Sequence, residues 1–94
     1  MNVDNLKPGT KLIWDAPEPF EGYSLLHKNM YQKEGRVYYP CVVTNRKSNN
    51  SALKCHVQTA GGTFHWMSGD HEYLRLPTNK ELETLEFPNP KNYD

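Results

Sequence analysis

Two runs of residues with strand character, joined by a polar turn, constrain the fold of this chain more than any other feature. Residues 37–44 (VYYPCVVT) and 52–59 (ALKCHVQT) are rich in β-branched and aromatic residues, and NRKSNNS separates them. This pattern predicts an antiparallel hairpin. With the turn centred near Ser48, Cys41 and Cys55 lie nearly opposite each other, and a slip of one residue would undo that pairing.

The alternation of side chains predicts which face of this hairpin is buried. Successive residues of a strand point to opposite faces, so the odd-numbered residues share one face and the even-numbered residues share the other. The odd-numbered, core-facing set is Val37, Tyr39, Cys41, Val43, Leu53, Cys55 and Val57. The outward set is Tyr38, Pro40, Val42, Thr44, Lys54, His56 and Gln58. Because proline donates no ladder hydrogen bond, Pro40 predicts a bend or bulge in its strand.

The rest of the chain predicts three further short strands and one helix. The strands are expected at residues 11–14, 63–67 and 71–76. Residues 15–24 have the prolines and glycine of a loop, and residues 25–35 indicate a structured loop. TNKE at residues 78–81 is a capping box, which predicts a helix to Leu85 or Glu86 with Leu82 and Leu85 facing the core. We expect one domain over residues 1–87 and a mobile tail over residues 88–94.

Charge and hydropathy limit the functional classes. Lys and Arg together number 11, as do Asp and Glu, so no net charge attracts the chain to nucleic acid or membrane. No apolar run approaches the roughly 20 residues that span a bilayer, and MNVDNLKPG lacks the apolar core of a signal peptide. We expect an intracellular protein, cytoplasmic or nuclear, without a membrane partner, and its size suits a small phage or accessory protein.

Four short segments resemble the SH3-like barrels, and among them the Tudor-type domains. They are PGTKLIW, GRVYYPCVV, ALKCHVQTAGGT and EYLRLPT, which together cover roughly residues 7–78. The resemblance implies a small five-stranded antiparallel barrel, whose closure hides strand edges. Here the barrel has a long first loop, over residues 15–35, and a short C-terminal helix.

The same resemblance implies a reader of peptides, in some cases methylated ones, that holds a methylated ammonium against ring faces. Trp14 and Tyr39 match two positions of the aromatic cage. The segment that matches the third strand and its turn, QTAGGT at residues 58–63, has no ring. A methyl-lysine reader would therefore have an incomplete cage unless Phe20, Tyr23 or Tyr31 of the long loop completes it.

From the residues we predict a non-enzymatic module that docks on another protein or peptide through an aromatic barrel rim and the long loop. The expected contact residues are Trp14, Tyr38, Tyr39, Tyr23 and Tyr31. The alternative is nucleic-acid binding through the basic hairpin at residues 46–54, where Arg46, Lys47 and Lys54 would contact phosphates.

Catalytic and metal sites are not predicted. Cys41, Cys55, His56, His65 and His71 lack the short paired spacing typical of zinc ligands. Two cysteines do not make a disulfide framework, and both are expected in the core as apolar filler rather than as nucleophiles. HWMSGDHE at residues 65–72 is interpreted as an ordinary polar turn. We therefore expect no catalytic residue, no metal and no cofactor.

Overall fold

The chain folds mainly into antiparallel β-structure, as its sequence pattern predicts. The computed structural model describes residues 1–17, 31–33 and 36–94, and at 16–17, 31–33 and 36–37 it describes the backbone alone. The elements are β1 (Lys11–Pro17), β2 (Tyr31–Lys33), β3 (Arg36–Val43), β4 (Cys55–Thr59), β5 (Phe64–Met67), β6 (Leu74–Arg75) and α1 (Asn79–Thr84). The loop predicted at residues 15–24 is wrong at its start, since β1 continues to Pro17, and the structured loop predicted at residues 25–35 is wrong at Tyr31–Lys33, which form β2. Residues 18–30 and 34–35 of these two segments lie outside the described residues.

The strands form one sheet in the order β5-β4-β3-β1-β6, which curls into a half-barrel. β3 is its central strand. One edge of β3 pairs with β1 from Lys11↔Val42 to Pro17↔Arg36. The other edge pairs first with β2, up to Tyr38, and then with β4 from Cys41 onward. β3 therefore connects both halves of the sheet.

Pro40 occupies the gap between β2 and β4 on one edge of β3. Its carbonyl accepts a hydrogen bond from the Ala60 amide at 2.9 Å, so its backbone polar side faces β4 and away from β1. A strand residue directs its N and O to the same side, and the missing N–H of Pro40 therefore removes no bond of the β1 ladder. The proline is accommodated because the ladder on that edge changes partner at this position.

The concave face of the sheet holds the main core, and the predicted core position is confirmed for Tyr39, Cys41, Val43, Cys55 and Val57. It is wrong for Leu53, which precedes β4 and is only half-buried, and the side chain of Val37 is not described. The buried cluster comprises Val3, Leu12, Tyr39, Cys41, Val43, Cys55, Val57, Met67 and Leu74. Met1, Leu6 and Trp14 pack against it. The N-terminal residues close this side, since the Val3 amide donates to the Gly69 carbonyl at 2.9 Å.

The register of the β3–β4 hairpin differs from the predicted one. Cys41 lies opposite Thr59, and Val43 lies opposite Val57, so the prediction that Cys41 faces Cys55 is wrong. The partner of Cys41 is therefore residue 59 instead of residue 55. Because this shift is an even number of residues, the same side chains still face the core. β4 also begins at Cys55 rather than at residue 52, because residues 51–52 still belong to a turn.

The convex face is also buried, which the alternation did not predict. Pro40, Val42 and His56 lie on the face opposite Tyr39 as expected, yet none is exposed, and His56 is only 2% accessible. Ile13, which pairs with Pro40, is fully buried on the same face. These residues were expected to face outward, but their side chains are covered.

The C-terminal segment, residues 87–94, lies across this convex face instead of extending as a mobile tail. The Gln58 side chain donates to the Asn89 carbonyl at 3.1 Å and accepts from the Lys91 amide at 2.9 Å. Asn45 accepts from the Tyr93 amide at 2.8 Å and donates to Asn92 Oδ1 at 2.8 Å. The side chains of Gln58 in β4 and of Asn45 in the loop after β3 therefore satisfy backbone groups of a segment that forms no strand.

Helix α1 begins with the predicted capping box, which is confirmed. Thr78 Oγ1 accepts from the Glu81 amide at 3.1 Å, and Glu81 Oε1 accepts from the Thr78 amide at 2.8 Å. No residue of the helix is buried, and Leu82 is 43% exposed, so the prediction that Leu82 faces the core is wrong. Polar contacts hold the helix: both Glu81 oxygens accept from Arg75, which also donates to Asp15 at 3.0 Å.

Glu81→Gln should destabilise the protein by about 1 kcal/mol at pH 7, because it removes the charge from a two-fold hydrogen-bonded ion pair. The Arg75 guanidinium lowers the pKa of Glu81 from its ordinary 4.5 to about 2. This stabilisation is complete above the unfolded-state pKa and is lost as the pH falls from there toward about 2. Urea unfolding at several pH values should show the two proteins converging in acid. Glu83→Gln, on an exposed residue of the same helix, should change stability by less than about 0.5 kcal/mol at any pH.

Asn45→Ala should release the end of the C-terminal segment. Hydrogen exchange at the Tyr93 amide should accelerate by about fivefold, the effect of losing a hydrogen bond worth about 1 kcal/mol. The exposed Asn49 in the same loop provides the matched control, Asn49→Ala, in which the Tyr93 amide should exchange as in the native protein. Equal exchange in both variants would show that Asn45 does not hold this segment.

Candidate functional site

Two residues of the predicted aromatic rim, Trp14 and Tyr39, lie side by side in the structure. Trp14 and Tyr39 are paired across β1 and β3, and their rings stack with centroids 6.1 Å apart and planes at 10°. The Tyr73 ring also contacts the Trp14 ring, and their centroids are 6.2 Å apart. Tyr39 is only 4% exposed, and burial raises the pKa of its phenol far above the ordinary value. Its ring belongs to the core, with half-buried Trp14 at the core's edge.

The structure describes the other predicted rim residues only in part. Tyr38 is half-buried and points to the face of β3 opposite Tyr39. Tyr31 pairs with Tyr38 through the backbone of β2, which is all that is described of it. Tyr23 and Phe20 lie outside the described residues.

The three basic residues of the alternative prediction line one shallow groove of about 250 Å³. Arg46, Lys47 and Lys54 share it with Ser48, Asn50, Ser51 and Leu53. Short-range hydrogen bonds shape its wall, since the Asn50 amide donates to Ser48 Oγ at 3.0 Å and the Ala52 amide donates to Asn50 Oδ1 at 2.9 Å. We call this feature the basic groove. Cations and hydroxyl or amide groups converge there, as in sites that hold phosphate oxygens.

Four rings form a second feature beside the basic groove, on the convex face. His56 is their centre: it stacks on Phe64 at 5.5 Å, tilts against Trp66 at 4.7 Å and meets the edge of Tyr93 at 5.4 Å. We call these residues the outer aromatic cluster. Pairing of β4 with β5 brings His56 opposite Trp66, and the returning C-terminal segment supplies Tyr93.

Arg46 joins the basic groove to the outer aromatic cluster. Its guanidinium carbon lies 5.7 Å from the centroid of Trp66 and 5.3 Å from that of Tyr93. The ammonium of Lys91 lies 5.0 Å from the Tyr93 centroid. A guanidinium stacked on rings directs its N–H donors outward in its own plane, where a planar or tetrahedral oxyanion can accept them. Packing thus orients a cationic donor at the border of the two features.

Charge is sorted along the chain even though the net charge is zero. Residues 35–69, which contain β3, β4 and β5, have no Asp or Glu, whereas Arg36, Arg46, Lys47 and Lys54 lie within them. None of the last three forms an ion pair with an acidic side chain that the structure describes. Asp94, at the C-terminal side, lines a neighbouring depression together with Arg46 and Lys47. The acid-free run is the sequence signal that singles out this surface.

His56 is held neutral within the outer aromatic cluster. Burial lowers its pKa first, and the positive charges of Arg46 and of protonated His65 lower it further. A hydrogen bond of 2.7 Å joins His56 Nδ1 to Thr44 Oγ1, and the Arg46 amide donates to the same Oγ1 at 3.2 Å. His56 therefore acts as a packed, oriented ring rather than as a proton donor at neutral pH.

The cysteines are poor candidates for covalent chemistry. Both are free and buried, and burial raises the pKa of Cys41 to about 12 and that of Cys55 to about 11. Their thiols stay protonated at neutral pH, and a thiol is a far weaker nucleophile than a thiolate. In the part of the chain that the structure describes, no three His, Cys, Asp or Glu side chains lie together as metal ligands would.

No family model, curated protein or solved structure matches this chain significantly. Of the helices within the described ranges, none combines the length and apolar character needed to cross a membrane. The surface chemistry of the half-barrel therefore carries the functional interpretation.

Proposed function

We propose that this chain is a non-enzymatic binding module that binds nucleic acid through the basic groove and the adjoining outer aromatic cluster. One observation carries the proposal: Arg46, Lys47 and Lys54 line a single groove, and Arg46 also contacts Trp66 and Tyr93. Phosphates supply most of the affinity of such contacts, and rings contribute through the bases. A polyanion fits this surface because the acid-free segment gives it a local positive charge.

We further propose that the half-barrel is an SH3-like barrel of the Tudor-like type. The strand order supports this assignment, since the last strand, β6, pairs with the first, β1, and β3 contributes to both halves of the sheet. The basic groove then lies at the loop that joins β3 to β4, outside the rim where a peptide cage was expected. Small barrels commonly bind ligands through loops of this kind.

The double variant Lys47→Gln/Lys54→Gln should bind a fluorescein-labelled oligonucleotide more weakly than the native protein. Each lost phosphate contact should reduce the slope of log K against log salt by about 0.7 to 0.9. Fluorescence anisotropy at several salt concentrations measures both quantities. Lys80→Gln, on exposed helix α1, should leave affinity and slope unchanged. No saturable binding by the native protein at low salt would contradict the proposal.

A protein or peptide partner at the aromatic rim is the second candidate function. It is favoured by the contact of Trp14 with Tyr73, two half-buried rings at the edge of the core. Tyr38 lies on the other face of β3, so it would contact such a partner only from that side. The long segment that contains Tyr23 and Tyr31 would supply the remaining contacts. A ligand held there would perturb the Trp14 indole rather than the basic groove, which makes the two candidates separable by spectroscopy.

A further inference from the structure

Phe64 is the ring of the outer aromatic cluster that is best placed to contact a ligand. It is 42% exposed, although it contacts His56, which is only 2% accessible. One side of its ring is stacked on His56, whose planar ring lies at 14° to it. A phenyl ring packed on one side and open on the other offers a flat apolar surface of the kind on which a nucleobase stacks.

The neighbouring Trp66 extends the same surface toward the cations. Phe64 and Trp66 lie two residues apart on β5, on one face, and hence roughly 7 Å apart along the strand. The Trp66 ring also contacts the guanidinium of Arg46, and Arg46 lines the basic groove. Along the surface, the exposed Phe64 ring is therefore followed by the half-buried Trp66 ring, then by the Arg46 guanidinium, and then by the two lysines of the basic groove. A nucleotide chain lying along it would place bases at one end and phosphates at the other.

From this arrangement we infer that the ligand is single-stranded nucleic acid, with an unpaired base stacked on Phe64. The inference rests on the proposed nucleic-acid function. In a duplex, successive bases of one strand are about 3.4 Å apart and their faces are covered by each other. Only an unstacked base can expose a face to Phe64, and the wider spacing of the β5 rings suits bases that have separated. The nearby cations alone would not discriminate between single and double strands.

Three labelled probes of about 12 nucleotides separate the contributions: a single-stranded oligothymidylate, an abasic strand with the same number of phosphates, and a duplex of the same length. We expect the native protein to bind the oligothymidylate at least tenfold more tightly than either of the others at moderate salt. Phe64→Ala should weaken oligothymidylate binding by about 5- to 100-fold, to near the abasic level, and should leave abasic binding unchanged.

Two further variants keep this test interpretable. Phe64→Leu retains apolar packing on His56 but lacks an aromatic face, and it should lose the same base-dependent affinity while the thermal unfolding midpoint is preserved. Leu76→Ala removes another exposed apolar side chain, 60% accessible, and should bind as the native protein does. Equal affinity for abasic, duplex and thymidylate probes, or native affinity in Phe64→Leu, would overturn the single-strand inference while leaving the proposed function intact. No binding of any probe at low salt would overturn the proposed function itself.

Discussion

The structure depends on the burial of both faces of β3. Tyr39, Cys41 and Val43 point to the concave core, while Pro40 and Val42 point to the convex side. A strand that is apolar on both faces needs a cover on each, since every large aliphatic side chain left in water forgoes about 1.5–3 kcal/mol. The curl of the sheet and the N-terminal residues cover the first face. The C-terminal segment covers the second, without adding a strand.

This second cover also builds the candidate site. Because residues 87–94 must cross the convex face, they bring Tyr93 against His56 and Lys91 against Tyr93. Arg46 stacks on Trp66 and Tyr93, and this contact holds its guanidinium at the border of the basic groove. The segment that buries the convex face of β3 thus also orients the Arg46 cation. The three strands of this surface, β3, β4 and β5, contain no acidic residue.

The local patterns of the sequence predicted the local structure well. Period-two alternation identified Tyr39, Cys41 and Val57 as core, and the Thr78–Glu81 pair identified the start of helix α1. Alternation fixes the face of a residue but not its partner, because an even shift of register preserves the face. The pairing of Cys41 with Thr59 depends instead on how residues 44–54 fold into turns, which no short pattern specified.

Contacts between distant parts of the chain were beyond reach of the sequence pattern. Pro88 and Pro90 end a helix, so the segment after them was expected to be a free tail, and its docking on Asn45 and Gln58 left no local signal. The candidate site was found only in part for the same reason. Arg46, Lys47 and Lys54 were predicted as a basic group, but the rings that join them come from β4, β5 and the C-terminal segment.

The proposed ligand site is the convex surface at the basic groove rather than the rim at Trp14. The chain has two tryptophans, and each marks one of these sites. A ¹H–¹⁵N correlation spectrum of the labelled protein, titrated with unlabelled oligothymidylate, reports both indole N–H groups at once. Binding at the basic groove should give a saturable shift of the Trp66 indole and of the Arg46, Lys47 and Phe64 amides, with the Trp14 indole unchanged. A shift of the Trp14 indole while Trp66 and the basic groove stay fixed would contradict it.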